Sequence, residues 1–276
     1  MISLKSVLGR FAKQDAPSGE ASAAQADAAD RYAMSRKNSL ALALAAQGLS
    51  ASVDADTARD MQAFAEFCLD HCRPSRSQLF QDLFVQFVLG NKRDGYFVEF
   101  GATDGYDLSN SYMLERQFGW RGLLAEPARC WHAALAVNRT CAIDHRCVWS
   151  RTGEQVNFNE AISPEFSTID SYSARDMHSA RRAEGTRYAV ETVSLQDLLA
   201  QHGAPSVIDY MSVDIEGSEY EVLRGFDFGQ YDIRVITVEH NFVEPERSQI
   251  FALLGKAGYE RRLAALSIFD DWYVKA

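Results

Sequence analysis

A chain of 276 residues that is 47% apolar can bury one sizeable core, which favours a single catalytic domain with a helical extension over two equal domains. Its net charge of -10 argues against a general nucleic-acid binder, because phosphate backbones are met by basic faces. No apolar stretch approaches the roughly 20 residues needed to span a bilayer, and the five cysteines form neither an even disulfide framework nor a zinc pattern, so reduced thiols and a cytoplasmic setting are expected.

The first predicted element is a short amphipathic helix, with Ile2, Leu4, Val7, Leu8 and Phe11 on one side and Lys5, Arg10 and Lys13 elsewhere. It suits peripheral contact with a membrane surface or a partner, or it packs or frays without such a role. Residues 14–30 hold no Lys, Arg or large apolar side chain and read as a flexible linker. Helices predicted over 39–48 and 54–72 complete an N-terminal helical extension, residues 1–75, which covers the catalytic domain.

Residues 76–276 are expected to form that domain. A helix over 77–90 stopped by Gly90 leads into a strand over 95–100, a helix near 111–118, a strand over 122–125, a helix near 128–138 and a strand around 142–149. Such alternation predicts right-handed crossovers and an α/β fold with a mostly parallel sheet. Residues 150–190 break the pattern and read as an insertion over the strand ends. There Phe158, Phe166 and Tyr172 either close a substrate pocket or form a surface cluster, while Arg175, Arg181, Arg182 and Arg187 either meet an anionic acceptor group or are solvated. A helix near 195–201, strands over 207–213 and 234–238 around a helix at 219–224, and a helix at 247–255 follow, and two short strands around Tyr259 and Trp272 predict an antiparallel edge hairpin.

The candidate site residues sit where predicted strands end. Glu99 closes an apolar run, and Gly101 and Gly105 permit a sharp turn and close approach to a ligand. The spacing G-A-T-D-G is not the G-x-G-x-x-G that cradles a pyrophosphate, and a loop bearing Glu99 and Asp104 suits a cationic nucleoside with an amino group and ribose hydroxyls, as in S-adenosylmethionine. Glu126 in LLAEP is a candidate for the ribose hydroxyls or a helix-start acid ahead of Pro127, and Asp144 is either a contact for the adenine amine, with Cys147 or Val148 beside the ring, or a surface acid.

Two further strand ends carry acids. In DYMSVDIEGSEYEVLRG, Asp214 and Glu216 share a face, while Ser218 and Glu221 form a capping-box pattern for the next helix. In VITVEHN, Glu239, His240 and Asn241 follow a buried run, and His240 is a candidate general base or a structural histidine. Asp214, Glu216, Glu239 and His240 alternatively assemble a divalent-metal site.

The motifs SQLFQD, FVEFGATDG, the Ser109–Asn110 pair, WRGLLAEP, VDIEGSEYEVLRG and VEHN together resemble the FkbM-type methyltransferases, a class I S-adenosylmethionine-dependent group, over residues 77–276. The resemblance implies a Rossmann-like sheet and an O-methyltransferase acting on a hydroxyl of a sugar, glycan or related metabolite. It implies cofactor contacts from Glu99, Gly101, Asp104, Gly105 and Glu126, and an acceptor surrounded by Asp214, Glu216, Glu239 and His240. Ala102, Asn110 and Pro127 join the cofactor-binding candidates, although class I loops prefer glycine where Ala102 and Thr103 stand. The rival readings are a nicotinamide-dependent oxidoreductase and a non-catalytic Rossmann-like interaction protein.

Overall fold

The structure, a computed structural model, describes Gly48 and residues 51–276. The amphipathic segment near residues 2–13, the linker at 14–30 and the helix expected over 39–48, apart from Gly48, lie outside the described residues. No helix among the described residues is long and apolar enough to cross a membrane.

Helix α1 (Ala55–His71) starts where Asp54 Oδ1 accepts hydrogen bonds from the amides of Asp56 and Thr57, at 3.0 and 2.9 Å. Spacings of three and four put Met61, Phe64, Ala65 and Cys68 on one buried side. That side packs on α2 (Gln81–Val88) and on the end of the chain: the Phe64 ring lies 5.6 Å edge-on from Trp272, and Phe84 stacks on the same indole at 4.7 Å. The helix ahead of residue 75 is thus built into the domain core.

Next come β1 (Tyr96–Phe100), α3 (Tyr112–Phe118), β2 (Arg121–Ala125), α4 (His132–Asn138) and β3 (Ala142–Asp144). A second group follows: β4 (Cys147–Trp149), β5 (Gln155–Glu160), β6 (Thr168–Ile169), α5 (Ser179–Arg182) and β7 (Thr186–Ser194). The chain then runs through α6 (Leu195–Gln201), β8 (Val207–Val213), α7 (Glu219–Leu223), β9 (Asp232–Glu239), α8 (Glu246–Lys256), β10 (Tyr259–Arg262) and β11 (Asp270–Lys275).

Seven strands form one mixed sheet in the order β10-β11-β9-β8-β1-β2-β3. β3, β2, β1, β8 and β9 pair in parallel, and β11 runs antiparallel between β9 and β10. Phe97, Val98, Phe100, Ile208, Tyr210, Met211, Val213, Val235 and Ile236 are buried on both faces, which is why these strands read as near-continuous apolar runs. Connections leave β1 for β2 on one side, while β8 lies on its other side, so the order reverses between β1 and β8. In open α/β sheets ligands bind outside the carboxyl ends of strands at such a point.

Two sequence expectations are corrected. The strand foreseen over 142–149 is two strands in different sheets, because Asp144 Oδ1 accepts from the Arg146 amide at 2.9 Å and turns the chain between them. Residues 150–190 are more than an excursion: β5, β6 and β7 join β4 in a second sheet, ordered β4-β7-β5-β6, around Phe158, Ile169, Tyr172 and Val190.

Candidate active site

The loop after β1 is fixed by close packing. Gly101 has φ +71, and a Cβ there would lie 1.8 Å from the carbonyl oxygen of Asp214, so only glycine lets the β1 and β8 exits meet. At Gly105, φ +74, a Cβ would strike Leu135 and Arg139. The two glycines thus bring protein segments together and do not merely leave room for a ligand.

Glu99 is 2% exposed and densely hydrogen-bonded. It accepts from the Asn110 amide at 2.6 Å, from Ser109 Oγ at 3.1 Å and from Ser111 Oγ, with the Arg139 guanidinium 3.6 Å away. The Arg139 side chain is fully buried and also reaches Glu115 at 2.6 Å, Ser109 Oγ at 3.1 Å and Ser111 Oγ at 2.8 Å. One strand-end acid and one arginine therefore set the course of residues 109–111. Within that segment Asn110 donates to Ser212 Oγ at 3.0 Å, and its Oδ1 is buried with no hydrogen-bond partner. A buried acceptor without a donor is costly unless a ligand supplies one.

Glu126 follows β2. Its carboxylate accepts from the amides of Thr103 and Ala128, at 2.9 and 2.7 Å, so it ties the glycine loop to the start of the next segment. Burial outweighs those two hydrogen bonds and raises its pKa to about 7.

At the ends of β8 and β9, Asp214, Glu216 and Glu239 present carboxylate oxygens within 4.8 Å of one another. Arg182, from α5, is fully buried and donates to Glu216 at 2.6 Å, to Asp176 at 2.8 Å and to the Phe166 carbonyl at 2.6 Å. Asn241 donates to Glu239 at 2.7 Å. Desolvation raises the proton affinity of all three acids, and it is reinforced at Asp214 by Asp270, at Glu216 by Asp214, and at Glu239 by both Asp214 and Glu216. The exit turns are left-handed at non-glycine residues: Glu216, Asn241 and Phe242 have φ values of 60, 42 and 59. Such conformations persist where packing imposes them and concentrate at functional sites.

These strand ends enclose a cavity of about 350 Å³, roofed by Phe158, Phe166, Met177 and His178 from the second-sheet segment. Of the predicted site residues, Glu99, Gly101, Asn110, Glu126, Pro127, Val148, Asp214, Glu216 and Glu239 line it. The remaining five do not line it. Ala102, Asp104 and Gly105 stay in the loop wall, where Asp104 accepts from the amides of Tyr106 and Asp107, both at 2.8 Å, and Gly105 donates to the Ala102 carbonyl at 2.8 Å. Asp144 is held away from the cavity by Arg146 at 2.6 Å and His202 at 2.9 Å; burial pushes its pKa up, but these hydrogen bonds prevail and bring it to about 2. His240 points behind the cavity: its Nδ1 accepts from the Phe242 amide at 3.0 Å, and its buried Nε2 lies 3.8 Å from Asp271. The imidazole therefore does not join the three carboxylates as a metal ligand, and burial lowers its pKa.

A model of the methyltransferase FkbM domain matches residues 99–261, more than half of the chain. The chain belongs to the FkbM methyltransferase family. No curated protein matches it. The matched FkbM domain contains both buried arginines: Arg139, which the sequence reading did not single out, and Arg182, which it offered as meeting an anionic acceptor or being solvated and which instead pairs with Glu216 and Asp176. Neither carries a local signal, since NRTC and ARRAE read as surface basic segments until the fold brings acids to them. The capping box foreseen at α7 is also replaced. Ser218 makes no side-chain cap bond, Glu221 pairs with Arg224 at 2.6 Å, and Glu219 accepts the amides of Ile215 and Gly217 instead, at 3.1 and 2.9 Å.

Proposed function

We propose that this FkbM-family chain is an S-adenosylmethionine-dependent O-methyltransferase acting on a hydroxyl of a sugar, glycan or related metabolite. The observation that carries the reading is the cavity at the reversal between β1 and β8, rimmed by Glu99, Glu126, Asp214, Glu216 and Glu239. The strand order, with β11 reversed inside an otherwise parallel sheet apart from that hairpin, supports a Rossmann-like methyltransferase sheet.

The donor set fits the cofactor. Asn110 Oδ1 is an orphaned acceptor suited to an ammonium, and Glu126 retains acceptor capacity for ribose hydroxyls beyond its two amide bonds. Pro127 and Val148 offer apolar surface for a base. When bound, S-adenosylmethionine supplies a methyl group whose bond to sulfur breaks, leaving the electron pair on sulfur, as the acceptor oxygen bonds the carbon. The protein must align that oxygen and take its proton. We assign proton removal to the Asp214–Glu239 pair, whose raised proton affinity brings a carboxylate closer to the basicity such a step needs. Asn241 orients Glu239, and Arg182 pairs with Glu216 beside them.

A nicotinamide-dependent oxidoreductase is the less favoured reading, because the Gly101–Gly105 loop carries Asp104 and follows Glu99 where a pyrophosphate requires free amides. Titration with S-adenosylhomocysteine and with NAD separates the two: the former is expected to raise the melting temperature and the latter to leave it unmoved. The opposite result refutes the proposal. Turnover assays with and without a chelator test whether the three-carboxylate cluster also uses a divalent cation.

A further inference from the structure

The cavity as a whole has a one-sided charge. Among the described residues its lining includes Glu99, Glu126, Glu165, Asp214, Glu216 and Glu239 and neither lysine nor arginine. Four arginines stand nearby in the roof segment, and none of them lines the cavity. Arg182 is fully buried on Glu216 and Asp176. Arg187 pairs with Asp170 at 2.9 Å, Arg175 lies 4.1 Å over Tyr172 and 3.8 Å from Glu246, and Arg181 lies 4.3 Å over Phe166. His178 does line the cavity, but it stacks on Phe166 at 4.3 Å and burial lowers its pKa, so it brings no cation at neutral pH.

An anion entering this space would meet carboxylates with no guanidinium or ammonium to offset its desolvation, whereas phosphate and carboxylate ligands are normally held by bidentate arginine or by lysine. What the wall does offer is carboxylate oxygens and the ring of Phe242. Phe242 is 51% exposed on a left-handed turn, so its ring keeps apolar surface in water until a ligand covers it. Hydroxyl and amine donors satisfy such a surface, and the C–H face of a ring-shaped polyol can cover the Phe242 ring.

Resting on the methyltransferase reading, we infer that the cavity selects a hydroxyl acceptor free of anionic groups, a neutral or amino-bearing polyol, and rejects phosphorylated, sulfated or uronic-acid counterparts. The test uses the full chain with methyl-labelled S-adenosylmethionine. The acceptors are neutral hexosides and aminohexosides beside their phosphates and uronates, together with a cell extract separated on an anion exchanger at neutral pH. Label is expected in the neutral and amino acceptors and in the unretained extract. The matched anionic acceptor should lose at least about 100-fold in kcat/KM, a little under 3 kcal/mol. Label transferred mainly to anionic acceptors or to the retained fraction overturns the inference, as does no transfer at all from protein that S-adenosylhomocysteine stabilises. If S-adenosylhomocysteine gives no stabilisation, the methyltransferase reading itself fails.

Discussion

The two halves of the cavity rim use the same residue types at the same level of one sheet, yet they treat them oppositely. At β1, Glu99 is saturated by an amide, two hydroxyls and the buried Arg139 and holds residues 109–111, while Glu126 after β2 ties two loops through two amides and keeps acceptor capacity for more. At β8 and β9, Asp214, Glu216 and Glu239 share one arginine and one asparagine amide. A carboxylate with a full set of donors is already a finished piece of structure. One crowded by its own kind is held at a cost that a ligand or a proton relieves. The first half accordingly shapes the pocket, and the second is suited to act on what enters it.

Removing each half's arginine is the severest way to probe that contrast. Arg139→Ala and Arg182→Ala each strand buried acids, and each is expected to lower stability by about 3–5 kcal/mol. Their functional losses should separate. In whatever folded fraction remains, Arg139→Ala should weaken S-adenosylhomocysteine binding by releasing residues 109–111, while Arg182→Ala should spare that binding and depress turnover. Denaturant melts with calorimetric titration and turnover on one preparation check this, and loss of the same function in both variants would erase the distinction between the halves.

A milder intervention keeps the side chains' shape and neutralises a single carboxylate. Asp214→Asn or Glu239→Gln removes the proton acceptor while relieving repulsion, so the variant should be as stable as the parent or more so. Its turnover is expected to fall about 10²- to 10⁴-fold, with S-adenosylhomocysteine affinity held within a few-fold. Stability falling together with turnover would mean the cluster is scaffold after all.

The pH dependence follows from the same asymmetry. Glu126 titrates near 7 in the folded chain against an ordinary value of 4.5, and Asp214, Glu216 and Glu239 are shifted in the same direction. The folded protein binds more protons than the unfolded chain in that window. The stability these groups contribute is therefore complete below about pH 4.5 and lost as pH rises through 7. The melting temperature should drop across that range, and Glu126→Gln or saturating S-adenosylhomocysteine should flatten the drop. A melting temperature that climbs steadily to pH 8 in the unliganded protein would contradict the strain assigned to these acids.

How much of this was legible in the sequence depended on the range of the interaction. The strand ends were readable, because a buried run breaking into acid and glycine is a local event, as at VEFG, LLAEP and VDIEG. Their convergence followed from the parallel topology. Partnership was not readable. Asp104 and Asp144 look like Glu99 and Glu126 in sequence, but Asp104 is spent on amides two and three residues ahead, and Asp144 on an arginine two residues on and a histidine 58 residues away. Arg182 lies 34 residues before the Glu216 it neutralises, and no periodic pattern marks the pairing. The second sheet was missed because β7 alternates buried and exposed positions amid arginines and beside Gly185, which mask a half-buried strand.

The smallest expected effects come from residues that the fold turns away from the cavity. Asp144→Asn should leave S-adenosylhomocysteine affinity within about twofold, because its carboxylate already belongs to Arg146 and His202. His240 is the more telling case. Since Nδ1 accepts from the Phe242 amide, the neutral ring carries its proton on Nε2, which is buried and faces Asp271 with no hydrogen-bond partner. His240 is not among the residues that line the cavity, although Glu239 and Asn241 on either side of it are. What the imidazole does is brace the left-handed turn that presents Phe242 to the pocket. His240→Ala should therefore raise the acceptor KM by about 3- to 10-fold, a cost of about 1 kcal/mol, and lower kcat far less than Asp214→Asn does. A collapse of kcat at unchanged KM, with a pH profile that loses its acidic limb, would return the proton to the histidine and take it from the carboxylates.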